Sequence, residues 1–299
     1  FSFLRMFFDI IKFYKKCDNL NEFNEEITLG DYLSEEKVSK EFIEYHLIPM
    51  VSAIWSMPPY EANQMPLKFF LKFFQNHGLF KLKNRPQWYT VSKRSRTYVE
   101  KIISKISGEY FKNYRINKIK SRDHGVDLYY GGNNEFFGYD KVIIATHADE
   151  ALAMIENPSD LEKETLSNFS YKKNIAYIHT DQSVMPENKK AWCSWNSSMK
   201  KNEIEKNSIT YWLNLLQNLE CEENIFLTLN PYFKIKESKI LKKVKFTHPY
   251  FDQAALDYQS KLKNLQNKRN ILFCGSYFGY GFHEDGIKSS IEMLKNLND

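Results

Sequence analysis

The segment that most constrains this chain is its last, NILFCGSYFGYGFHEDGIKSSIEMLKNL, residues 270–297. Ile271 to Cys274 form a short apolar run with the look of a buried strand. Glycines at 275, 279, 281 and 286 then break the pattern, and a helical period follows. A strand that feeds a glycine-rich turn into a helix start gathers unpaired N–H groups and positive partial charge at one place. Phosphate, or the polar edge of a flavin, suits such a place. Gly286 lets a ligand approach the backbone, because no Cβ stands in the way. Glu284 and Asp285 bring negative charge to the same turn, which argues against bare phosphate and suits them to capping the helix. Spacing alone leaves two readings open, a ligand site and an ordinary strand–helix connection.

The rest of the chain divides by period. Residues 1–16 read as a helix whose polar positions Arg5, Asp9, Lys12 and Lys16 make one narrow stripe. It is either packed on most sides by its own protein or lies in a membrane interface with a basic edge. Asp31 is a candidate cap for the next helix. Glu41 to Trp55 would carry Phe42, Tyr45, Ile48, Val51 and Trp55 on one face, and Pro58-Pro59 stops it. LKFFLKFFQNHG, 67–78, sets four phenylalanines in two helical turns and ends on Gly78, a natural C-cap. In the middle, GVDLYY (125–130), the turn GGNN (131–134) and EFFGY (135–139) read as a hairpin. DKVIIATH (140–147) follows as an apolar strand of the kind buried on both faces, and ADEALAMIE (148–156) as a helix. AYIHTD (176–181), AWCSWN (191–196), IFLTLNP (225–231) and KKVKFTHP (242–249) suggest an antiparallel sheet, with SITYWLNLLQNL (208–219) as a helix among them.

Composition narrows the function classes. A chain of 299 residues makes one large domain or two smaller ones. The net charge of +5 is spread along it without a dense Lys/Arg block, which gives nucleic-acid binding little support and leaves a weak preference for anionic surfaces. None of the four cysteines sits in a C-x-x-C pair, and no Cys/His cluster has metal spacing, so a reduced, cytoplasmic setting and no metal are expected. No run approaches the roughly 20 apolar residues of a membrane span. Aromatic residues reach 16%, which means a large apolar cavity or a bulky core. No Ser/His/Asp set or carboxylate pair stands out, so hydrolase chemistry lacks a basis. His179, on an alternating strand, and His283, just before Gly286, are candidates to face a substrate cavity. Trp192, Trp195, Tyr211 and Trp212 either line that cavity or pack the core.

NILFCGSYFGYGFHEDGIKSS resembles the C-terminal FAD motif of the amine-oxidase-like flavoproteins. IWSMPP (54–59), FFQNHGL (73–79), KVIIATHADEAL (141–152), YIHTDQSVMP (177–186), AWCSWN and LTLNP (227–231) resemble a subfamily of predicted NAD/FAD-binding proteins associated with cyclopropane-fatty-acid-synthase-like methyltransferases. The resemblance spans nearly the whole chain. It implies FAD as cofactor. Gly275 and Ser276 match the Gly–acidic pair that touches the ribityl and pyrophosphate part of FAD, with Ser276 in place of the carboxylate. Gly286 and Ile287 match the helix start that faces the pyrimidine edge of the flavin. Ile116 matches a backbone contact to adenine, and Ala145 and Thr146 match a strand end near the pyrophosphate. Lys93 and Arg94 stand where the family carries Gly-Gly before Ser.

No G-x-G-x-x-G occurs in the sequence, although the family carries that pyrophosphate fingerprint near its N-terminus. The chain also begins at Phe1, so the expectation is an N-terminally truncated member, inactive alone. The expected fold is α/β in two interleaved domains. A partial Rossmann-like FAD domain would come from 90–150 and 265–299. A substrate domain of antiparallel sheet and helices would come from 1–89 and 151–264. The expected activity is a flavin-dependent oxidation, with oxidation or desaturation of a lipid acyl chain as the substrate reading. A flavin amine oxidase and a non-catalytic lipid- or protein-binding relative are the alternatives. Peripheral membrane contact through 1–16 belongs to the lipid reading.

Overall fold

The computed structural model describes residues 2–17, 26–132, 135–200 and 203–297. Its strands are β1 (Ile116–Arg122), β2 (Gly125–Tyr130), β3 (Glu135–Tyr139), β4 (Val142–Ile144), β5 (Ser170–His179), β6 (Trp195–Lys200), β7 (Glu203–Trp212), β8 (Phe226–Leu229), β9 (Ile240–Tyr250) and β10 (Ile271–Phe273). The protein is mixed helix and sheet, and it separates into two interleaved compact units. Unit 1 is Phe1–Ser104 with Lys172–His248, and unit 2 is Lys105–Tyr171 with Pro249–Asp299. The crossovers therefore fall after residues 104, 171 and 248, where the sequence reading set them after 89, 150 and 264. One reason is that the helices Ala148–Met154 and Asp160–Leu166 pack with β1 and with the turn Leu262–Leu265, inside unit 2.

Unit 1 joins a helical layer to a five-stranded sheet of order β6-β7-β8-β5-β9. The phenylalanine-rich helix Leu67–Asn76 buries Phe69, Phe70, Phe73 and Phe74, and Gly78 closes it at φ +61°. Phe70 lies 4.1 Å from Phe74 by ring centroids, and Phe13 packs on Phe42 at 5.2 Å. Here the aromatic excess is core. The helix Ser2–Lys16 corrects the first of the two readings given for 1–16. It buries only Phe13 and Tyr14, while Phe3 is 71% and Phe8 67% exposed, and Leu4 and Phe7 are exposed too. Phe1 lies outside the described residues.

The second helix is capped by Thr28 and not by Asp31. Thr28 Oγ1 accepts from Asp31 N, and Asp31 reaches back to Thr28 N, which is a capping box. Residues 41–55 are helical in three pieces, because Ile43–Leu47 forms a π turn. One extra residue per turn rotates the face there. Phe42, Ile48, Val51 and Trp55 are buried as expected, but Tyr45 is 63% exposed. The segment 208–219 is also corrected. Residues 208–212 belong to β7, and the helix covers only Leu213–Gln217. Ile209, Thr210, Tyr211 and Trp212 are β-branched or aromatic and find partners on both sides, Thr210 opposite Asn196 of β6 and Thr228 of β8. Of AWCSWN, only Trp195 and Asn196 are strand.

Unit 2 contains a three-stranded antiparallel sheet, β1-β2-β3, and a parallel pair, β10 with β4. The β2–β3 hairpin pairs Tyr130 with Glu135; Asn133 and Asn134 of its turn lie outside the described residues. DKVIIATH does not run as a strand buried on both faces. Only Val142–Ile144 is extended, with Ile144 buried and Ile143 44% exposed. As the edge of a two-stranded sheet, β4 alternates between core and solvent. All three residues of β10 are fully buried.

Candidate functional site

In unit 2 the parallel pairing sets Ile271 beside Val142, Leu272 beside Ile143 and Phe273 beside Ile144. Both strands thus end on the same side, and Cys274 N donates to Ile144 O at 3.1 Å just past the pairing. Parallel strands in open α/β sheets present ligand crevices beyond these carboxyl ends. Ala145 and Thr146 emerge exposed from β4, and Gly275 and Ser276 emerge from β10. Gly275 has to be glycine: a Cβ there would stand 2.7 Å from the Tyr277 ring and 3.6 Å from Thr146 O.

The turn Ser276–Phe278 leads to the C-terminal helix His283–Leu294, whose three turns put its positive end at this junction. Asp285 Oδ2 accepts from Phe282 N at 3.0 Å, so Asp285 caps the helix as its position suggested. Gly286 N donates to Phe282 O at 3.2 Å, within the helix. A Cβ at Gly286 would meet nothing nearer than Ser276 N at 4.0 Å, so the space beside it is open. Ser289 ties strand to helix: its hydroxyl accepts from Gly275 N at 2.9 Å and donates to Gly286 O at 2.7 Å.

The loop is held from below as well. Gln259 Nε2 donates to Tyr277 O at 3.0 Å and to Gly279 O at 2.6 Å. Gln266 pairs with both main-chain groups of Phe273, accepting from its N and donating to its O at 3.0 and 2.9 Å. Tyr277 is buried against Phe169, its hydroxyl has no partner, and burial raises its pKa. At the end of β4, His147 stacks on Tyr171 at 4.1 Å, and Tyr171 Oη accepts from Ala148 N at 2.8 Å. The structure thus brings Ala145, Thr146, Gly275, Ser276 and Gly286 to one junction, with His283 exposed at the first helical position and Ile287 exposed in the second turn. Ile116 opens β1 opposite Tyr130, in the other sheet of the unit.

The other substrate-cavity candidates lie in unit 1, where most of their polar atoms are bonded to neighbouring groups. His179 is fully buried. Its Nδ1 accepts from Asp181 N at 3.2 Å and its Nε2 contacts Thr228 Oγ1 at 2.8 Å, with Thr210 Oγ1 a further 2.9 Å along. An accepting Nδ1 assigns the proton to Nε2, and burial lowers the ring's pKa although Asp181 opposes the shift. His179 is therefore a core residue and not a cavity wall. Trp192 Nε1 donates to Pro186 O at 2.7 Å, and its ring meets Trp212 edge-on at 5.3 Å. Trp195 packs edge-on with Tyr211 at 5.5 Å. Tyr211 donates to Ala53 O at 3.0 Å, and burial pushes its pKa up to about 12.

Ser289 carries a faint sequence signal, a hydroxyl three residues beyond the glycine on the same helix face. Gln259, Gln266 and Tyr171 carry none, since only tertiary folding brings them to the junction.

No protein-family model matches the chain, and no curated protein matches it. Solved structures do. A fatty acid isomerase from P. acnes that produces CLA matches with a TM-score of 0.65 and 12% identity, over 97% of this chain and 74% of that one. Wild-type putrescine oxidase bound to putrescine matches with a TM-score of 0.68 and 9% identity, over 98% of this chain and 76% of the oxidase. A putative protoporphyrinogen oxidase from Exiguobacterium matches at 0.58 and 13%, over 93% and 69%. At such identities the likeness shows the fold, which this chain shares with these enzymes.

Proposed function

We propose that this chain is an FAD-dependent oxidoreductase whose cofactor lies at the junction of β4, β10 and the C-terminal helix. The single observation that carries the reading is the open backbone at Gly286 beside Ser276, at a helix start and at the carboxyl ends of two parallel strands. The residues present suit a flavin better than a bare phosphate. A flat ring edge has room beside Gly286, and the helix end favours negative charge there. Ala145, Thr146, Gly275 and Ser276 are the residues for the ribityl and pyrophosphate part, with the Ser276 hydroxyl where the resembling family carries a carboxylate. Bound there, FAD supplies the hydride acceptor. The chain's own contribution is orientation: Ser289 fixes the strand end against the helix, and Gln259 and Gln266 hold the loop and the strand in register.

For the substrate we infer an acyl chain in a lipid. The exposed Phe3, Leu4, Phe7 and Phe8, on a helix that ends in Lys15 and Lys16, support access from an anionic lipid surface. A fatty acid isomerase among the structures of the same fold points the same way. No helix among the described residues is long and apolar enough to cross a membrane, so contact would be peripheral.

One preparation tests both levels. The protein from its natural gene is expected to retain FAD, and Gly286→Val, whose branched side chain fills the approach, to weaken FAD binding at least about tenfold. Anaerobic phospholipid vesicles are then expected to bleach the bound flavin. Equal retention by both proteins, or none by either, overturns the cofactor site. Bleaching by putrescine and not by lipid turns the substrate toward amines.

A further inference from the structure

A second cavity lies wholly within unit 1 and owes nothing to the glycine loop. Its volume is about 390 Å³, near the low end of small-molecule sites, roughly 300–1,000 Å³. One wall is helical and carries Ser52 and Glu61; the other is sheet and carries Asn207 of β7 and Lys172 of β5. Three buried side-chain polar atoms without a hydrogen-bond partner belong to residues lining it: Ser52 Oγ, Glu61 Oε2 and Asn207 Nδ2. Native proteins rarely leave such groups unpaired, and a cluster of them calls for an explanation.

The rest of the wall's bonding says what would fit. Glu61 Oε1 is already held by Lys172 Nζ at 2.9 Å, so the carboxylate is neutralised and keeps one free acceptor. Asn207 Oδ1 accepts from Ser197 Oγ at 2.8 Å, so the amide keeps its donor side. Ser52 can serve either way. A ligand must therefore give a hydrogen to Glu61 and take one from Asn207. An ammonium offers donors only, and an anion offers acceptors only and meets the Glu61 oxygen. Adjacent hydroxyl groups do both without charge. We infer that this cavity binds a small neutral polyhydroxylated group, a sugar or polyol, through Ser52, Glu61 and Asn207. The inference stands apart from the flavin reading, because no cofactor residue lines the cavity.

The test uses the full chain, without added flavin, and methyl α-D-glucoside and myo-inositol as probes followed by saturation-transfer NMR. Saturable binding is expected. Asn207→Asp, which replaces the donor with an acceptor of the same shape, and Ser52→Ala should each weaken it about tenfold or more. Ser52→Ala is also expected to leave the unliganded protein as stable as before, a result that a structural role for the hydroxyl would not give. Binding of the free glucoside identifies a soluble sugar, and binding only to vesicles bearing a neutral glycolipid identifies a headgroup; both uphold the site. Absence of binding by either up to about 10 mM sugar, binding of ethanolamine or acetate instead, or variants that bind like the wild type would overturn it.

Discussion

Arg94 stands at φ 71°, ψ 180°, a backbone region almost confined to glycine, and Lys93 before it has φ 61°. Holding a side chain there costs about 1–3 kcal/mol. The helix Ser95–Ile103 begins directly after. Glycine would hold these two positions without that cost. Arg94→Gly is therefore expected to raise stability, by about 1 kcal/mol once the extra freedom of glycine in the unfolded chain is deducted. Urea unfolding at an unchanged slope checks this, and a loss of stability would show that the arginine side chain has a compensating contact. The same logic explains which site residues were legible. Gly275 and Asp285 are dictated by local backbone geometry, so the sequence displays them. His179 misled because a two-residue alternation tells which face a side chain takes but not whether that face meets a cavity or a core.

Elements were readable where one local rule governed them. The helices Ser2–Lys16 and Leu67–Asn76 and the β2–β3 hairpin follow from their own periods. Residues 208–212 do not, because aromatic and aliphatic residues at helical spacing also fit a strand, and pairing with β6 and β8 decides the matter. Tyr45 shows a finer failure: it lies inside a π turn and is turned out of the face that Phe42, Ile48, Val51 and Trp55 keep, and nothing in the composition of IEYHL announces it. Completion of β10 was hidden as well. At Phe273 its outer edge is finished by one side chain, Gln266, seven residues upstream. Gln266→Leu keeps the volume but strands a buried N–H and a buried C=O. A destabilisation of about 2–4 kcal/mol is expected, read by thermal or urea unfolding. A near-neutral result would mean that water or another side chain takes over both groups.

Across the whole molecule, stability should depend on pH through its buried histidines. Burial lowers the pKa of His179, and burial, followed by the Arg85 charge, lowers that of His46. The unfolded chain then binds protons that the folded chain refuses, so stability is complete above the unfolded value of about 6.5 and declines as pH falls below it. The urea midpoint should be level between about pH 8 and 7 and drop toward pH 5, with a shallower fall in His179→Gln. A midpoint that rises on acidification would contradict the neutral, Nδ1-accepting assignment. The interleaving of the two units was expected from the family resemblance, not from local periods. Their crossovers were not, because β5 and β9 each run through a boundary without a break in pattern.

Gln266 has a consequence beyond the single molecule. An exposed strand edge is a template on which a second chain can polymerise. By occupying the Phe273 N–H and C=O, the glutamine amide imitates a neighbouring strand and leaves an incoming one nothing to bond with at that point. The Lys268–Ile271 bridge and the complete burial of β10 close the rest of that edge to an incoming strand.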